Sequence, residues 1–340
     1  MKIIKYSKRF VCQDSSSILD GIRLLNKNEI KILLVVNKTG RFLGTITDGD
    51  IRRGLVKQYN TQDSIKKVTN YKPITSDSFV LNQKNQEMIK KDLKAIPVVK
   101  KNKILGLLIN QDEVKKIKSK CKTKIIIMAG GLGTRLGILT KNNPKALLKY
   151  KNKCLLDYII EHCVDQNLNN IFISVFYLKN KIKKYIRNKF LDYKINFLEE
   201  AYPLGTIGSI RYLNAKNNFI VMNCDVITNV NFKALMEFHQ NENAIMTICI
   251  KEFSYQNPYG VIESKGNHFV SFKEKPIKNF KINAGIYVFK PSVIRIVSKY
   301  NIKNTNDLVN HLKKLKYKIS VFHIYEDWID VGTNKKVLHV

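Results

Sequence analysis

The sequence predicts an α/β protein built from two parts, with a mostly parallel sheet in the second part. Three observations support this fold class. Apolar runs alternate with segments of helical periodicity beyond residue 124, two similar segments occur in the first 120 residues, and a lysine-dense stretch, 115–124, lies between the two regions. The predicted domains are therefore residues 1–120 and 121–340.

Composition limits the classes of function. The chain has 340 residues, 44% of them apolar, which is enough for two cores, and its six cysteines form no CxxC pair. We find neither the apolar core of a signal peptide nor a membrane-length span, so we expect a cytoplasmic protein with no membrane partner. The net charge is +33, but lysine is spread over every segment without a nucleic-acid-binding motif. We expect a basic surface that attracts anionic nucleotides, and no nucleic-acid partner.

The first region contains an internal repeat. Each copy has two short apolar strands joined by a polar turn, within 33–47 and 96–109, and each is followed by an aspartate and the start of a helix. Gly44 and Gly106 occupy equivalent places and are 62 residues apart. The aspartates keep the same spacing, which indicates a duplicated unit.

These aspartates, Asp50 and Asp112, are also part of a resemblance to a known family. The region resembles a pair of cystathionine-β-synthase-type (CBS) modules, which implies an adenine nucleotide between the modules. The ligand pattern of that family matches Thr47 and Asp50 in the first copy. In the second copy Ile109 replaces the threonine, so that only Asp112 is retained. The alternative is that Asp50 caps the helix predicted over 51–56 and that the pair is a dimerisation scaffold.

The second region opens with an apolar run, 125–128, which predicts a buried parallel strand. The run ends in a glycine-dense turn, 129–135, which contains a hydroxyl and a cation, and Lys145 follows behind Pro144. Glycine lets backbone N–H groups approach an anion closely, and two cations neutralise a polyphosphate. The spacing fits neither the P-loop nor the dinucleotide-binding pattern. We therefore predict a phosphate-binding turn of another type.

The string GGLGTRL…T…NPKALL, from Gly130 to Leu148, resembles the signature of the sugar-1-phosphate nucleotidyltransferases. One departure is Ile138, because that family usually has proline there. The resemblance implies a Rossmann-like catalytic domain in which Arg135 and Lys145 stabilise charge on the triphosphate. It also implies that the turn binds the nucleotide through Ala129, Gly130, Gly131, Gly133 and Thr134.

Periodicity continues the α/β pattern after this string. Helices are predicted over 157–165 and 182–190, and strands over 171–177 and 194–198. Strands that alternate with helices form mostly parallel sheets, in which ligands bind at the carboxyl ends of the strands. The following motifs lie in loops of that kind.

The loop 199–209 joins the third of these strands to a predicted helix. It resembles the PLGTAG loop of the same family, with Ile207 in place of alanine. The resemblance implies that Gly205, Thr206 and Gly208 contact the base and ribose. The loop is rich in glutamate, as in the guanylyltransferases, whereas thymidylyltransferases tend to have glutamine before it. GTP is therefore the favoured nucleotide.

A buried strand, 219–222, leads to Asp225, and a carboxylate at the end of such a strand commonly holds Mg²⁺ against a phosphate. The position matches the metal-binding aspartate of the family, although Cys224 stands where glycine is more usual. The segment 327–333 resembles the terminal W-x-D-x-G-T motif, whose aspartate is Asp330 here. The resemblance implies Mg²⁺ held by Asp225 and Asp330.

Further strands are predicted over 244–251, 269–272 and 283–289, with a short strand at 261–262 after a turn. The pair Glu274–Lys275 resembles the EKP element of the family, and the last strand resembles its N-x-G-I-Y element. The resemblance implies that Lys275 holds the sugar phosphate and is catalytic. The sugar-binding residues that it implies are Gly260, Glu274 and Asn283.

Together the motifs imply an enzyme that joins a nucleoside triphosphate to a sugar 1-phosphate and releases pyrophosphate. The architecture resembles the bacterial glucosamine-1-phosphate guanylyltransferases of legionaminic acid synthesis, so GDP-glucosamine for surface glycans is the first expectation, from a homo-oligomer. Mannose-1-phosphate guanylyltransferase and glucose-1-phosphate thymidylyl- or uridylyltransferase stay open. The alternatives of other classes are a non-catalytic CBS nucleotide sensor and, on charge alone, a nucleic-acid binder.

Overall fold

The structure, a computed structural model, describes residues 2–26, 28, 30–79, 95–109, 123–332 and 338–339. The chain divides into two compact units, Met1–Ser119 and Lys120–Val340, and each is described by itself.

The described part of the first unit forms two three-stranded sheets with two helices. The elements are β1 (Lys2–Lys5), β2 (Val11–Gln13), α1 (Ile18–Asn26), β3 (Ile32–Val36), β4 (Phe42–Thr47), α2 (Asp48–Val56), β5 (Ala95–Lys100) and β6 (Lys103–Ile109). The sheet orders are β2-β3-β4 and β1-β6-β5. In both sheets a hairpin predicted from the sequence, β3–β4 or β5–β6, supplies two of the strands.

The two glycines of the repeat have the same structural role. A Cβ at Gly44 would overlap the carbonyl oxygen of Asn70, and a Cβ at Gly106 would overlap that of Ile4. Each glycine therefore lets a backbone segment from elsewhere in the unit lie directly against the hairpin. The 62-residue spacing reflects an equivalent packing requirement in the two copies.

The second unit is built on one large sheet. Its elements up to the centre of the sheet are β7 (Lys124–Met128), β8 (Lys149–Tyr150), β9 (Lys153–Cys154), α3 (Leu155–Asp165), β10 (Asn170–Val175), α4 (Lys179–Lys189), β11 (Ile195–Glu199) and β12 (Phe219–Asn223). The remaining elements are β13 (Val226–Thr228), α5 (Phe232–Glu242), β14 (Met246–Gln256), β15 (Val261–Lys265), β16 (His268–Lys273), β17 (Ile277–Phe289), α6 (Ser292–Lys299), α7 (Thr305–Lys314), β18 (Ile319–Ile324), β19 (Trp328–Asp330) and β20 (Leu338–His339).

The large sheet has the strand order β11-β10-β7-β12-β17-β14-β18. Only β17 runs antiparallel to its neighbours within this sheet. The predicted α/β class with a mostly parallel sheet is therefore confirmed. No helix in the described part of the chain is both long and apolar enough to cross a membrane.

Strand β7 lies at the middle of this unit, and its side chains alternate between two cores. Ile125 and Ile127 pack with residues of α3, α4 and α5 on one face of the sheet. Ile126 and Met128 pack with residues of α6 and α7 on the other face. The sheet is thus covered by helices on both sides, which explains why its central strands are continuous apolar runs.

Three elements of the second unit differ most from the sequence prediction. Strand β14 continues to Gln256 beyond the predicted 244–251, and β17 begins at Ile277 instead of Asn283. The apolar runs used for the prediction mark only the buried part of each strand, whereas the extensions are exposed. The helix predicted after the loop 199–209 is a short 3-10 helix, Gly208–Tyr212.

Candidate active site

The glycine-dense turn follows β7 directly. It is held at its start because the Ala129 N–H donates to the carbonyl oxygen of Ser174 on β10 (3.0 Å). Gly133 has a φ of 69°, and a Cβ there would lie 2.7 Å from Cγ2 of Thr140, so the position requires glycine. A Cβ at Gly131 would meet nothing within 4 Å. The turn therefore combines a tightly packed end with an open backbone at Gly131.

A 3-10 helix, Thr134–Thr140, continues the turn. The hydroxyl of Thr140 lies 3.1 Å from the carbonyl oxygen of Gly133 and 3.0 Å from that of Gly137, which has a φ of 58°. Ile138, which stands where the resemblance leads one to expect proline, is 90% exposed. The threonine hydroxyl and the positive φ of Gly137 thus shape this loop without the proline.

Lys145 starts the next 3-10 helix, Lys145–Leu147, and its ammonium group forms an ion pair with the carboxylate of Asp225. The two side chains are only 20% and 14% exposed. The second predicted cation, Arg135, has its backbone in the preceding 3-10 helix, while its side chain lies outside the described residues. The assignment of Arg135 therefore stays a prediction.

The two predicted metal-binding aspartates lie next to each other. Strand β13 pairs antiparallel with β19, which places Val226 opposite Asp330. The N–H of Val331 donates to the backbone oxygen of Asp225 (3.0 Å). Two segments that are far apart in the sequence therefore bring Asp225 and Asp330 to one place.

Gly332 shows how closely the charged groups converge. A Cβ at this position would overlap Nζ of Lys145 and Oδ2 of Asp225, and it would lie 3.1 Å from Oδ1 of Asp330. The Gly332 N–H also donates to Oδ1 of Asp330 (2.8 Å). All three side chains therefore face the small space that the absent side chain leaves. The sequence motif contains this glycine, but the sequence alone did not identify it as a site residue.

The charges around Lys145 determine its protonation state. Burial lowers the pKa of its amine, but the carboxylates of Asp225 and Asp330 outweigh burial and raise the pKa above the ordinary value of 10.5. The amine is therefore positively charged at neutral pH. A fixed cation is suited to the charge of a phosphate group that forms or breaks a bond.

Cys224 precedes the site and belongs to the core. Its side chain is buried in the cluster beneath the sheet, and burial raises the pKa of its thiol to about 12. A thiol that stays protonated is neither a nucleophile nor a metal ligand at neutral pH. Cysteine in place of the family's usual glycine therefore fills space beside Asp225 without adding a reactive group.

The cluster fits Mg²⁺ by its donor set. Carboxylate oxygens of Asp225 and Asp330 face the same space beside Gly332, and Mg²⁺ is typically bound by one or two carboxylates together with phosphate oxygens and water. Among the described residues there is no group of three or more His, Cys, Asp or Glu that could hold a metal ion. Any Mg²⁺ here would therefore take further ligands from a substrate or from water.

Glu200 is a site residue that the sequence alone did not single out. Its carboxylate is buried at the end of β11 and accepts hydrogen bonds from the Ser174 hydroxyl and from the Leu204 N–H (2.9 Å). A Cβ at Gly130 would lie 2.7 Å from its Oε1. Glu200 therefore links the glycine-dense turn to the start of the PLGT loop.

The PLGT loop is anchored to the start of α7. Gly205 has a φ of 71°, and a Cβ there would lie 2.6 Å from the backbone oxygen of Lys303. The Thr206 hydroxyl accepts a hydrogen bond from the Thr305 N–H (3.0 Å), and a Cβ at Gly208 would lie 3.0 Å from Cβ of Leu204. These groups hold the loop in shape. Their predicted contacts with base and ribose stay predictions.

The predicted sugar residues form two groups. A Cβ at Gly260 would lie 2.6 Å from the ring of Phe272 and 3.0 Å from Oε2 of Glu274, so Gly260 and Glu274 are neighbours. Lys275 is exposed and has a φ of 43°. The left-handed backbone there is uncommon for a lysine and turns the chain sharply after Glu274.

Asn283 lies on β17, and its side-chain amide forms hydrogen bonds within the protein. Its side chain donates to the Tyr287 hydroxyl (2.7 Å) and accepts from the Gly285 N–H (3.0 Å). Gly285 has a φ of 70°, and a Cβ there would lie 2.8 Å from Nδ2 of Asn223, at the end of the strand that leads to Asp225. Asn283 therefore shapes a bulge beside the aspartate cluster, and its sugar contact stays a prediction.

Three side chains fix the strand that carries Asp330. The indole N–H of Trp328 donates to the carbonyl oxygen of Ala284 (2.9 Å), and the Thr228 hydroxyl donates to that of Asp327 (2.8 Å). The ammonium group of Lys251 donates to the backbone oxygen of Glu326 (2.9 Å). Sequence reasoning did not find these roles, because each contact crosses between distant segments.

The predicted CBS ligand residues form a helix cap. Helix α2 begins at Asp48, earlier than the predicted Ile51, and Thr47 is its N-cap. One oxygen of Asp50 accepts from the N–H (2.8 Å) and the hydroxyl (2.6 Å) of Thr47, and the other accepts from Arg53 (2.6 Å). Asp112 lies outside the described residues.

Comparison with known proteins gives a family for most of the chain. Residues 124–340 match the nucleotidyl transferase family, and residues 6–57 match the CBS domain family. The chain is 31% identical over 227 residues to the mannose-1-phosphate guanylyltransferase catalytic subunit beta of Drosophila melanogaster, covering 64% of this chain and 61% of that protein. It is 32% identical over 234 residues to the mannose-1-phosphate guanyltransferase of Hypocrea jecorina, covering 63% and 62%. The chain thus spans about three fifths of the length of these relatives.

One solved structure is also similar to part of the chain. HddC from Yersinia pseudotuberculosis is 26% identical and aligns with a TM-score of 0.48, covering 63% of this chain and 95% of that chain. The match to the nucleotidyl transferase family covers more than half of the sequence and includes the glycine-dense turn, Lys145 and both aspartates. The chain therefore belongs to the nucleotidyl transferase family, with a CBS domain at residues 6–57.

Proposed function

We propose that the chain is a sugar-1-phosphate nucleotidyltransferase that uses GTP. One observation carries the proposal, namely the convergence of Lys145, Asp225 and Asp330 on the space beside Gly332. Asn223, two residues before Asp225, pairs with Met128, the last residue before the glycine-dense turn. A charged cluster and a phosphate-type turn therefore stand at the carboxyl ends of adjacent parallel strands, where ligands of such sheets bind.

The proposed reaction transfers a nucleotidyl group. An oxygen of the sugar 1-phosphate attacks the α-phosphorus of the triphosphate and forms a new P–O bond. The bond between the α-phosphorus and the oxygen that bridges it to the β-phosphate breaks, and pyrophosphate leaves with that electron pair. The attacking phosphate is already ionised, so no general base is required. Positioning and electrostatic stabilisation therefore supply the catalysis.

Each charged residue has a role in this proposal. Lys145 and Arg135 stabilise negative charge on the triphosphate, and Lys275 holds the sugar phosphate in line. Asp225 and Asp330 would hold Mg²⁺, which would neutralise charge on the reacting phosphates. Lys145 supports its part in the proposal because its largely buried ammonium group is ion-paired with Asp225 and is influenced by the charge of Asp330.

The glutamate-rich PLGT loop supports guanine as the base. Guanine presents N–H donors on its pairing edge, and a carboxylate supplies only acceptors. Within that loop, Glu200 lies against Gly130, but both of its carboxylate oxygens accept from Ser174 and Leu204, so its role is to shape the nucleotide turn. The curated relatives described above are named guanylyltransferases or guanyltransferases, which agrees with this choice. A uridylyl- or thymidylyltransferase is the alternative.

The sugar is proposed at the level of a hexose or hexosamine 1-phosphate. Glucosamine 1-phosphate is our first candidate, because the sequence resembles the guanylyltransferases of legionaminic acid synthesis. Mannose 1-phosphate is the second candidate, because the relatives bear that name. Glu274 beside Gly260 is the proposed acceptor for sugar hydroxyls.

An adenine nucleotide at the CBS unit is the remaining part of the proposal. The Asp50 carboxylate already accepts from Thr47 and Arg53, so that a ligand there would have to compete with the helix cap. We therefore expect such an effector to bind weakly through Asp50. A capping role for this residue is the simpler interpretation.

The test is pyrophosphate release by the full chain with Mg²⁺. GTP, UTP, dTTP, CTP and ATP are each combined with glucosamine, N-acetylglucosamine, glucose and mannose 1-phosphates. Reactions without sugar phosphate and reactions with excess EDTA are the controls. Release that requires GTP and one sugar would support the whole proposal.

Other outcomes of this experiment test the reaction, the nucleotide and the sensor alternative separately. Release with UTP or dTTP would retain the reaction and reject guanine as the base. Release from GTP without any sugar would reject the transferase reaction itself. A folded protein that is silent over the whole panel and binds adenine nucleotides would favour the non-catalytic sensor.

A further inference from the structure

One segment of the second unit has no core of its own. It consists of residues 252–281, which include the outer parts of β14 and β17 and the hairpin β15–β16, and we call it the arm. None of its residues is buried, and all of them are described. Two-stranded ribbons are marginally stable in water unless a further layer packs on them. The arm therefore needs a surface to cover it.

The first ribbon of the arm has one apolar face and one polar face. Phe253 pairs with Phe280, and Tyr255 lies on the same face, two residues from Phe253. Each of these three rings is about half exposed, at 50%, 48% and 49% respectively. The opposite face is mostly polar: the Ser254 hydroxyl donates there to Oδ1 of Asn279 (2.8 Å), and Ile277, 63% exposed, is the apolar exception. This alternation is typical of a ribbon that is covered on one side only.

The hairpin β15–β16 repeats the arrangement. Ile262 pairs with Phe272, and they are 63% and 55% exposed. Phe269 and Val270 lie at a bulge in β16 and are 68% and 58% exposed. The polar face is held by Glu263, which accepts from Ser271 (2.9 Å). Both ribbons of the arm thus leave an apolar face open.

The open faces match half of a protein interface in size. Seven large apolar side chains, three on the first ribbon and four on the hairpin, are each exposed by about 100 Å², if a fully exposed one has about 200 Å². Together they present on the order of 700 Å². The largest apolar patch on a monomer is typically about 300–600 Å², whereas each side of a stable dimer interface has about 800 Å².

We infer that the apolar face of the arm is an interface between two copies of this chain. A two-fold axis would place the Phe253–Phe280 pair of each copy against that of the other, which is how a self-complementary surface pairs. The charged pairs of the arm, Glu263 with Lys273 (3.3 Å) and Glu252 with Lys281, lie on the polar faces of the two ribbons, so the apolar faces stay free for the partner copy. The apolar area of the open faces, which is close to one side of a stable dimer interface, favours a second copy of the chain as the occupant.

The experiment is sedimentation velocity of the full chain over a wide range of concentration, on three proteins. They are the wild type, the double variant Phe253→Asp/Phe280→Asp, and a control, Leu191→Asp/Leu315→Asp. The control changes two exposed leucines of the second unit outside the arm, 81% and 46% exposed. We expect the arm variant to have half the mass of the wild type, and the control to keep the full mass.

Hydrogen exchange of the wild type tests the inference without any substitution that could disturb the fold. Amides of the arm should exchange faster on dilution, while those of β7 and β12 stay protected at all concentrations. A wild type that is monomeric throughout would overturn the inference. An arm variant with the same mass as the wild type would also overturn it. Protection of the arm that does not depend on concentration would do the same, because the arm would then be covered by its own chain. Association with anionic vesicles at unchanged protein mass would instead assign the face to a lipid surface.

Discussion

Asp50 and Asp225 are both carboxylates that the sequence assigned to ligands, and they have nearly equal exposure, 15% and 14%. Their surroundings differ. Asp50 is satisfied by residues within three positions of it, Thr47 and Arg53. Asp225 faces Lys145 and the second carboxylate of Asp330, which come from distant parts of the chain.

This difference shows that burial alone does not identify a functional carboxylate. A local capping box stabilises a helix and uses the acceptor capacity of its carboxylate. A second negative charge from another strand is unfavourable unless something positive is placed between the two. Lys145 supplies part of this positive charge, and bound Mg²⁺ would supply the rest. We therefore expect the two aspartates to respond differently to substitution.

The largest effect is expected at Asp225. The change Asp225→Ala should lower kcat/KM by about a thousandfold or more, because several kcal/mol of transition-state stabilisation are lost. The measurement is steady-state pyrophosphate release with Mg²⁺, and the matched control is Asp192→Ala, which changes an exposed carboxylate of the same unit. Near-normal turnover of the Asp225 variant would remove it from the site.

A smaller effect is expected from Gly332→Ala. The added Cβ overlaps Lys145 and Asp225, so these charged groups must separate, and we expect kcat/KM to fall about a hundredfold. The control is Gly49→Ala, where a Cβ meets only side-chain atoms of Arg53, at 3.2 Å, and of Thr47, at 3.8 Å. If both variants have the same rate, the convergence at Gly332 is not needed for the reaction.

Trp328→Phe should have a modest effect. The change keeps an aromatic ring and removes the hydrogen bond to Ala284, which contributes about 1 kcal/mol, so kcat/KM should fall about fivefold. The Mg²⁺ concentration for half-maximal activity should rise with it, because Trp328 acts by positioning the strand of Asp330. An unchanged Mg²⁺ requirement would show that the indole N–H serves stability alone.

Asp50→Ala should change stability and leave the rate unaffected. Loss of the reciprocal cap costs about 1 kcal/mol, which lowers the Tm of the first unit by several degrees. Calorimetry and turnover of the same preparation check both parts. A loss of turnover that adenine nucleotides modulate would contradict the capping interpretation and give Asp50 a regulatory role.

No alkaline effect is expected from Lys145 below pH 10. The neighbouring carboxylates raise its pKa above 10.5, so its ammonium group is charged at lower pH. Its ion pair therefore stabilises the fold throughout the neutral range, and the stabilisation is lost only as pH rises through the raised pKa. The kcat/KM profiles of wild type and Lys145→Arg should have parallel alkaline limbs. A limb in the neutral range that only the wild type shows would contradict this.

The sequence predicted the features that are encoded in one continuous stretch. The run 125–128 and its glycine-dense turn are recognisable because a buried parallel strand needs a continuous apolar run and a close turn needs glycine. The sequence also indicated a helix cap near Asp50, but the N-cap is Thr47, and Asp50 lies three residues into the helix, where it completes the capping box. The sheet class followed from the alternation of strands and helices.

What the sequence did not reveal depends on contacts through space. Gly332 matters because of atoms on Lys145 and Asp225, and Glu200 matters because Gly130 lies against it. The hydroxyl of Thr206, which was predicted to contact the nucleotide, instead accepts a hydrogen bond from the N–H of Thr305, far along the chain. The arm was missed because its exposed strands extend past the apolar runs that mark the core.

Trp328 has one more consequence. It is the only tryptophan in the chain, and it lies two residues from Asp330, with its indole N–H on the carbonyl oxygen of Ala284. Intrinsic tryptophan fluorescence of the unlabelled full-length protein therefore originates at this single place. Titration with Mg²⁺, with nucleotide or with sugar phosphate can be followed as a change in emission, so the protein carries its own optical probe beside the proposed metal site.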